Sequence, residues 1–494
     1  MSLGIIVCTA TELPACKPSE VNVGRALAVW ILILTPAVVA WTQPDTLWTR
    51  TYGARDYDYS YAVQQTADSG FVIVGSQSAP SHSVLLRTNA AGNQRWIDSL
   101  GVSTSCANDV QPTVGGGFLL AGNTSTDAIL IKTDSAGGQQ WSHSLSQSHA
   151  SFLSLVKSTN GNYIAAGTES DSVRSTALYA KVDSAGNTVW LRRYTGPSSP
   201  RLSLTIAAIC ATSDGGFAAA GTLDTVDGLI NEDFSVIRVS SAGDTLWTRR
   251  IGGPNREFAR SIQNTGDGFV MAGHDFLGSA FYPHILKFDG NGNVLWNRVI
   301  TTVGNGTCAA AYEIENGDLI IAGTLIDGVA GVPEFFLARV APNDTVLWEQ
   351  HYGGSGAEWA EDMKLTSDGG CIITGRTNSF DSQQWDFYVV RVGPFHTATS
   401  AQPRILLPVA LNLSAYPNPF NANTRIQFAL PTAEKVKLVV YDVLGRNVLV
   451  LANGVMESGT HSLIFDGSSF ASGSYFARLE AGNSVRTEKM LLLK

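Results

Sequence analysis

Seven tryptophans spaced 45 to 57 residues apart, with short apolar runs and glycine turns between them, predict an all-β chain whose main body is a seven-bladed β-propeller. The composition agrees. Charged residues make up 15% and glycines number 49 in 494 residues, which suits a turn-rich β protein and argues against coiled coil and disorder. Past residue 412 the repeat gives way to new alternating strands, which predict a small immunoglobulin-like β-sandwich. A chain of this length exceeds one ordinary core, so two or more domains are expected.

Four segments follow in order: a signal peptide over 1–40, the propeller over 41–394, a linker over 395–412 and the sandwich over 413–494. Ala26 to Ala40 is an apolar run of fifteen preceded by Arg25. A membrane-spanning helix needs about 20 apolar residues. Polar Thr42-Gln43-Pro44 follows, and Val38-Val39-Ala40 puts small residues where signal peptidase cuts, so cleavage after Ala40 is expected. An uncleaved anchor is the alternative. The stretch before Arg25 carries one base, Lys17, and is long for such a leader, which points to a start near Val21 or Val23. No other segment is long and apolar enough to span a bilayer, so no transmembrane segment is expected in the mature chain.

The repeat has three landmarks. The tryptophans are Trp48, Trp96, Trp141, Trp190, Trp247, Trp296 and Trp348, most of them after a Gly/Asn turn such as Ala91-Gly92-Asn93. Between them lies a turn followed by an apolar run ending in Gly, as in Gly70-Phe71-Val72-Ile73-Val74-Gly75 and Gly370-Cys371-Ile372-Ile373-Thr374-Gly375. An alternating strand such as Ile129-Leu130-Ile131-Lys132 completes the unit. Four short strands per unit make a blade, and a blade must stack on neighbours to bury its faces. The domain opens on a Trp strand, Asp45 to Arg50, and ends at Val392 after a third strand. The first strand can therefore complete the last blade and leave no open edge. A linear β-solenoid is the competing architecture. Trp247 to Gly253, Trp348 to Gly354 and the Asp-Gly-Gly turns at Asp214 and Asp368 make the unit resemble a family of secreted bacterial propeller repeats. That resemblance covers Trp48 to Val392 and implies an architecture, not an activity.

The formal charge is −9 and no Lys/Arg run occurs, so nucleic acid is not an expected partner. Cys106, Cys210, Cys308 and Cys371 are far apart with no C-x-x-C, which leaves small buried thiols as the reading, with disulfides as the alternative. Asp289-Gly290-Asn291-Gly292-Asn293 looks like a calcium loop but lacks the closing Glu, and reads better as a hairpin turn. No nucleophile elbow, H-E-x-x-H, Walker loop or dinucleotide motif is present, so no catalytic residues, metal or cofactor are assigned. An acid precedes an aromatic after the Tyr-Gly or Ile-Gly-Gly turn at Asp58-Tyr59, Glu257-Phe258 and Glu358-Trp359. One reading makes these six residues a ligand-binding ring on one disc face. The other has the acid capping the turn and the aromatic packing between blades. The seven tryptophans likewise read as inter-blade packing, with ligand cages as the alternative.

The last segment carries its own signature. Tyr416-Pro417-Asn418-Pro419-Phe420-Asn421, Val440-Tyr441-Asp442-Val443-Leu444-Gly445-Arg446, Ser472-Gly473-Ser474-Tyr475-Phe476 and Lys489 to Lys494 resemble, in order, the type A C-terminal sorting domain of the type IX secretion system. The sandwich of flagellar hook-capping proteins is also similar. The sorting resemblance implies export through the periplasm and then across the outer membrane, with the type IX machinery as partner and release or surface attachment as the end point. Pro417, Asn418, Pro419, Gly445, Arg446, Gly473, Tyr475, Lys489 and Lys494 are the candidate sorting residues; completing the sandwich is their plainer role. For the propeller, the leading expectation is a non-enzymatic binding or adhesion module for a glycan, peptide or surface protein. A secreted hydrolase or lyase and a structural surface component are the alternatives.

Overall fold

The computed structural model describes residues 43–493 except 54–56, 79–80, 101–104, 147–148, 160, 172–173, 195–201, 226–231, 327–330, 381–383, 396–411, 417, 431–433, 457–458 and 483. The expected signal peptide, nearly all of the expected linker, Pro417 and Lys494 therefore lie outside the described residues.

Among the described residues the propeller comprises seven antiparallel four-stranded sheets. The first runs outward through Asp58–Gln65, Phe71–Ser78, Ser81–Thr88 and Gln94–Leu100. The innermost strands of the next five blades are Cys106–Pro112, Ala150–Lys157, Leu202–Ala211, Arg256–Asn264 and Gly306–Glu313. The seventh blade takes Glu358–Leu365, Cys371–Thr377 and Asp386–Val392 from the end of the repeat, and Thr46–Tyr52 from its beginning. Trp48 lies opposite Arg391 and Tyr52 opposite Phe387 in that pairing. The ring closes as the sequence predicts.

Apolar residues do not gather in one centre. They form seven clusters, each shared by two adjacent blades, and the seventh-to-first seam joins Phe387 and Val389 to Val63, Phe71 and Ile73. This is why the second strand of each blade reads as a near-continuous apolar run: both of its faces are covered, and Leu319–Leu325 is buried along its whole length.

The tryptophans bridge these seams. Trp48 of the seventh blade packs edge-on against Phe71 of the first, with ring centroids 5.8 Å apart, and donates from Nε1 to the Ala90 carbonyl at 3.0 Å. Trp96–Phe118 and Trp247–Phe269 repeat the contact at 6.1 and 6.3 Å. Five of the rings rest on a turn glycine: a Cβ on Gly186, at φ +91°, would stand 2.5 Å from the Trp141 ring, whereas the sixth blade has Asp344, at φ +64°, at that turn position. The seventh blade has Cys371 where the others carry an aromatic or Leu, and Phe395 fills the space, stacking on Trp348 at 6.0 Å. Cys210, Cys308 and Cys371 are free and buried; Cys106 is free and half-buried.

Opposite every tryptophan stands a cation: Arg87, Lys132, Lys181, Arg238, Lys287, Arg339 and Arg391. Five of them meet an acid of the neighbouring turn; Arg238 pairs with Asp214 at 2.6 Å and Arg339 with Asp318 at 2.6 Å. Where the turn lacks an acid the cation keeps its place and uses carbonyls, as Lys132 does on Thr133 at 2.6 Å and Lys181 on Ser241 at 3.0 Å.

The C-terminal domain is a sandwich of a three-stranded sheet, Asn412–Tyr416, Asn423–Leu430 and Gly459–Asp466, and a four-stranded sheet, Asn447–Met456, Glu434–Asp442, Gly473–Ala481 and Ser484–Leu492. Its core includes Phe420, Ile426, Phe428, Leu438, Phe465, Leu479 and Met490.

The tryptophan seams generate a direct test. Gly186→Ala should lower the thermal midpoint well below that of Gly161→Ala, because both glycines have positive φ but only Gly186 faces a ring. Overpacking typically costs about 1–3 kcal/mol. Equal losses in the two variants, read by calorimetry, would contradict the seam packing described here.

Candidate functional site

The three predicted acids sit at the starts of innermost strands, all on one disc face, and all are buried: Asp58 at 4%, Glu257 at 2% and Glu358 at 0% exposure. They do not meet one another. Each lies at its own seam beside an acid from the preceding blade: Asp58 with Asp386, Glu257 with Asp233, Glu358 with Glu334. Glu358 accepts from Thr377 Oγ1 at 2.6 Å, from Ser379 Oγ and from the Gly354 N–H at 3.1 Å. Glu257 accepts from the Gly253 N–H at 3.3 Å. These contacts are turn caps. The aromatic partners Tyr59, Phe258 and Trp359 are half-buried on the same face, and Arg376 lies over the Tyr59 ring at 5.1 Å.

Crowding the acids has an electrostatic consequence. Burial, with Asp275 and Asp233 alongside, pushes Glu257 up to about 7. Burial and the Asp58 carboxylate push Asp386 up to about 6. Burial works against a charge on His351, but Glu334 and Glu349 outweigh it and hold the imidazole at about 9.

A second set of residues escaped the sequence reading. Every innermost strand carries a β-bulge at the same position, and the bulged residues are Tyr61, Asn108, Leu153, Ala207, Arg260, Ala309 and Glu361. A bulge re-aims one side chain. All seven line a central cavity of about 590 Å³ fed by all seven innermost strands. In three blades the residue after the bulge ties seams together: Asp109 Oδ2 accepts the Leu155 N–H at 2.7 Å, Asp362 Oδ2 the Val63 N–H at 3.2 Å and Ser154 Oγ the Ile209 N–H at 3.2 Å. Burial pushes Asp109 up to about 6, although Lys364 across the cavity pulls the other way.

The glycine that ends each apolar run is the signal for these bulges. A Cβ on Gly75 would stand 1.9 Å from the Tyr59 carbonyl, and the other six glycines meet the corresponding carbonyl at 1.9 to 2.2 Å. The residue after that glycine is Thr168, Thr222 or Thr324 in three blades, each accepting an N–H from the next innermost strand: Ile206 at 3.1 Å, Ala259 at 3.1 Å and Ala360 at 2.9 Å. The other four blades carry Ser76, Asn123, His274 and Arg376 at this position, and Arg376 pairs with Glu361 at 3.1 Å.

The calcium-like segment is a turn: Asp289 Oδ1 accepts the N–H groups of Asn291 and Asn293 at 2.9 and 2.8 Å. Among the described residues no group of three or more His, Cys, Asp or Glu is placed to hold a metal ion.

In the sandwich the described sorting candidates converge. Asp442 lies opposite Tyr475, and Tyr475 opposite Met490, at one end of the four-stranded sheet. Arg446 closes the adjoining turn on Asp442 at 2.6 Å, with Gly445 at φ +74°. Asn418 clamps the last strand: its Nδ2 donates to the Lys489 carbonyl at 2.6 Å and its Oδ1 accepts the Leu491 N–H at 2.9 Å. Gly473 starts its strand opposite Leu492, and Pro419 and Lys489 are exposed. Val443 and Leu444, 67% and 73% exposed, cap the same end.

Residues 414–493 match the family described as the secretion system C-terminal sorting domain. The domain directs export by the type IX secretion machinery, ending in secretion or attachment at the outer cell surface. No curated protein matches the chain. Among solved structures, PorZ, an essential surface component of the type IX secretion system of Porphyromonas gingivalis, is 10% identical with a TM-score of 0.45 over 90% of this chain, which spans 60% of its length. The polysaccharide lyase Uly1 is 9% identical, with a TM-score of 0.46 over 69% of this chain and 91% of its own. A puromycin hydrolase is 14% identical, with a TM-score of 0.45 over 80% and 61%. Among the described residues no helix is long and apolar enough to cross a membrane.

The acid seams make stability depend on pH. An acid whose pKa rises on folding stabilises the fold below its ordinary pKa and loses that effect as pH climbs through the folded value. Glu257, raised from 4.5 to about 7, should therefore weaken the propeller progressively between those values. Glu257→Gln should flatten the thermal midpoint in that window and raise it at pH 8. An unchanged pH profile in the variant would contradict this assignment.

Proposed function

We propose that the propeller is a non-enzymatic binding or adhesion module displayed outside the cell, delivered by an N-terminal signal peptide over 1–40 and by the sorting domain. The observation that carries this reading is the ring of bulge residues. Seam residues repeat from blade to blade, whereas the seven re-aimed side chains include Tyr, Asn, Leu, Ala, Arg and Glu. Sites grafted on a repetitive scaffold are expected where the repeats differ. Tyr59, Phe258 and Trp359 add aromatic surface on the face where the innermost strands begin. The partner is a glycan, a peptide or another surface protein.

The acids favour binding over catalysis. Asp58, Glu257 and Glu358 are buried at three separate seams. Asp109 is the one observation that favours a hydrolase or lyase, since a carboxyl near 6 in a cavity suits general acid–base work. Yet its oxygens already accept the Val110 and Leu155 N–H groups, both at 2.7 Å.

Two measurements test the proposal. A glycan and peptide array probed with the purified protein should give discrete hits without product formation; turnover lost in Asp109→Asn would replace the binding reading with the enzymatic one. Mass spectrometry of medium and cell surface should find the propeller outside wild-type cells and inside cells lacking residues 413–494. Unchanged export after that truncation would contradict the role of the sorting domain. Leu444→Asp or Arg446→Ala, at the exposed end of the sheet, should reduce export without unfolding the sandwich.

A further inference from the structure

The fifth blade brings an arginine and a buried histidine together at one place. Its bulge residue is Arg260, flanked in the ring by Ala207 and Ala309, and its charge acts on the Glu361 carboxyl in the central cavity. It is exposed, and no hydrogen bond or ion pair holds it among the described residues. Beside it, where three other blades carry Thr, stands His274, which is only 6% exposed and whose Nδ1 is buried without a hydrogen-bond partner among the described residues. Burial, with Arg260 nearby, keeps this imidazole neutral by lowering it to about 3.

Both residues line a cavity of about 370 Å³ between the fourth and fifth blades. Arg260 also lines the central cavity, so it stands at the junction of the two. The remaining wall is polar. It holds the hydroxyls of Ser203, Thr205 and Thr222, the carboxylates of Asp224 and Glu232, and the half-buried Phe258 ring. Thr222 Oγ1 accepts the Ala259 N–H at 3.1 Å and so keeps its own proton to donate. Glu232 is neutralised by Arg256 through bonds of 2.5 and 2.7 Å, and Asp224 acts on the same guanidinium.

The cavity is thus polarised. One end offers an unpaired cation. The other offers hydroxyls and two carboxylates, of which Glu232 is paired with Arg256, and these are acceptors for hydroxyl groups. Its volume suits one sugar ring. We propose that this cavity binds a uronic-acid residue of an acidic polysaccharide, with the carboxylate on Arg260 and the ring hydroxyls on Asp224, Thr205 and Thr222. His274 lines the site as a neutral polar wall, and Phe258 supplies an apolar edge. The inference rests on the reading of the propeller as a binding module and gives that module a ligand class. Arginine favours the carboxylate because its planar fork matches both oxygens.

The test is calorimetric titration of the full chain after Ala40 with trigalacturonate, a neutral glucose trimer, acetate and glutamate. Trigalacturonate should bind, and the glucose trimer should bind about tenfold more weakly or not at all, as expected for losing one charge-assisted pair. Arg260→Ala should weaken trigalacturonate about tenfold, with Arg260→Lys falling between, while Lys157→Ala, a central-cavity residue outside this site, leaves it unchanged. Thermal midpoints of the variants separate lost binding from lost fold. Equal binding by wild type and Arg260→Ala, tighter binding of glutamate than of the uronate, or no uronate binding would each overturn the proposal. If neutral glycans bind regardless of Arg260, the ligand assignment falls while the binding reading of the propeller stands.

Discussion

The pairing of Thr46–Tyr52 with Asp386–Val392 is the constraint on which the rest of the propeller depends. Seven seams hold the apolar core, and a ring has seven seams only if its last blade meets its first. An open stack would expose the Val63, Phe71 and Phe387 cluster and a row of unpaired backbone groups along the seventh blade. The first strand supplies both the missing edge and Trp48, which reaches over the seam to Phe71 and the Ala90 carbonyl. Chain ends far apart in sequence thus share one sheet, and loss of either loosens both neighbours.

Much of this was legible in the sequence because each landmark has one physical cause. Tryptophan recurs because a wedge-shaped seam needs a large ring, and the turn glycine recurs because that ring leaves no space for a Cβ. The glycine ending each apolar run recurs for a reason the pattern alone does not disclose: it clears the carbonyl of a bulge on the adjacent strand. Bulges are register events between two strands, so Arg260 and Glu361 look like ordinary members of an alternating segment until the pairing is known. The acids were legible as a recurring feature, but their burial was not. Asp58, Glu257 and Glu358 meet Asp386, Asp233 and Glu334 only through tertiary placement of the preceding blade.

The same logic separates scaffold from function. The cation opposite each tryptophan persists in all seven blades even where its acid is missing, as at Lys132 and Lys181, which marks it as part of the seam. Arg260 and His274 do the opposite: they stand at positions whose residue changes from blade to blade. In the sandwich, the Asn418 clamp on the final strand draws the described sorting candidates to one end, with hydrophobic Val443 and Leu444 held out to solvent beside Arg446.

Native-state hydrogen exchange at the amides of residues 46–52 tests the closed ring most directly. Their slow-exchanging amides should open with the same free energy as those of 386–392, in one step with global unfolding of the propeller. Rapid exchange of the first strand while the seventh blade stays protected would mean that the ring does not depend on it.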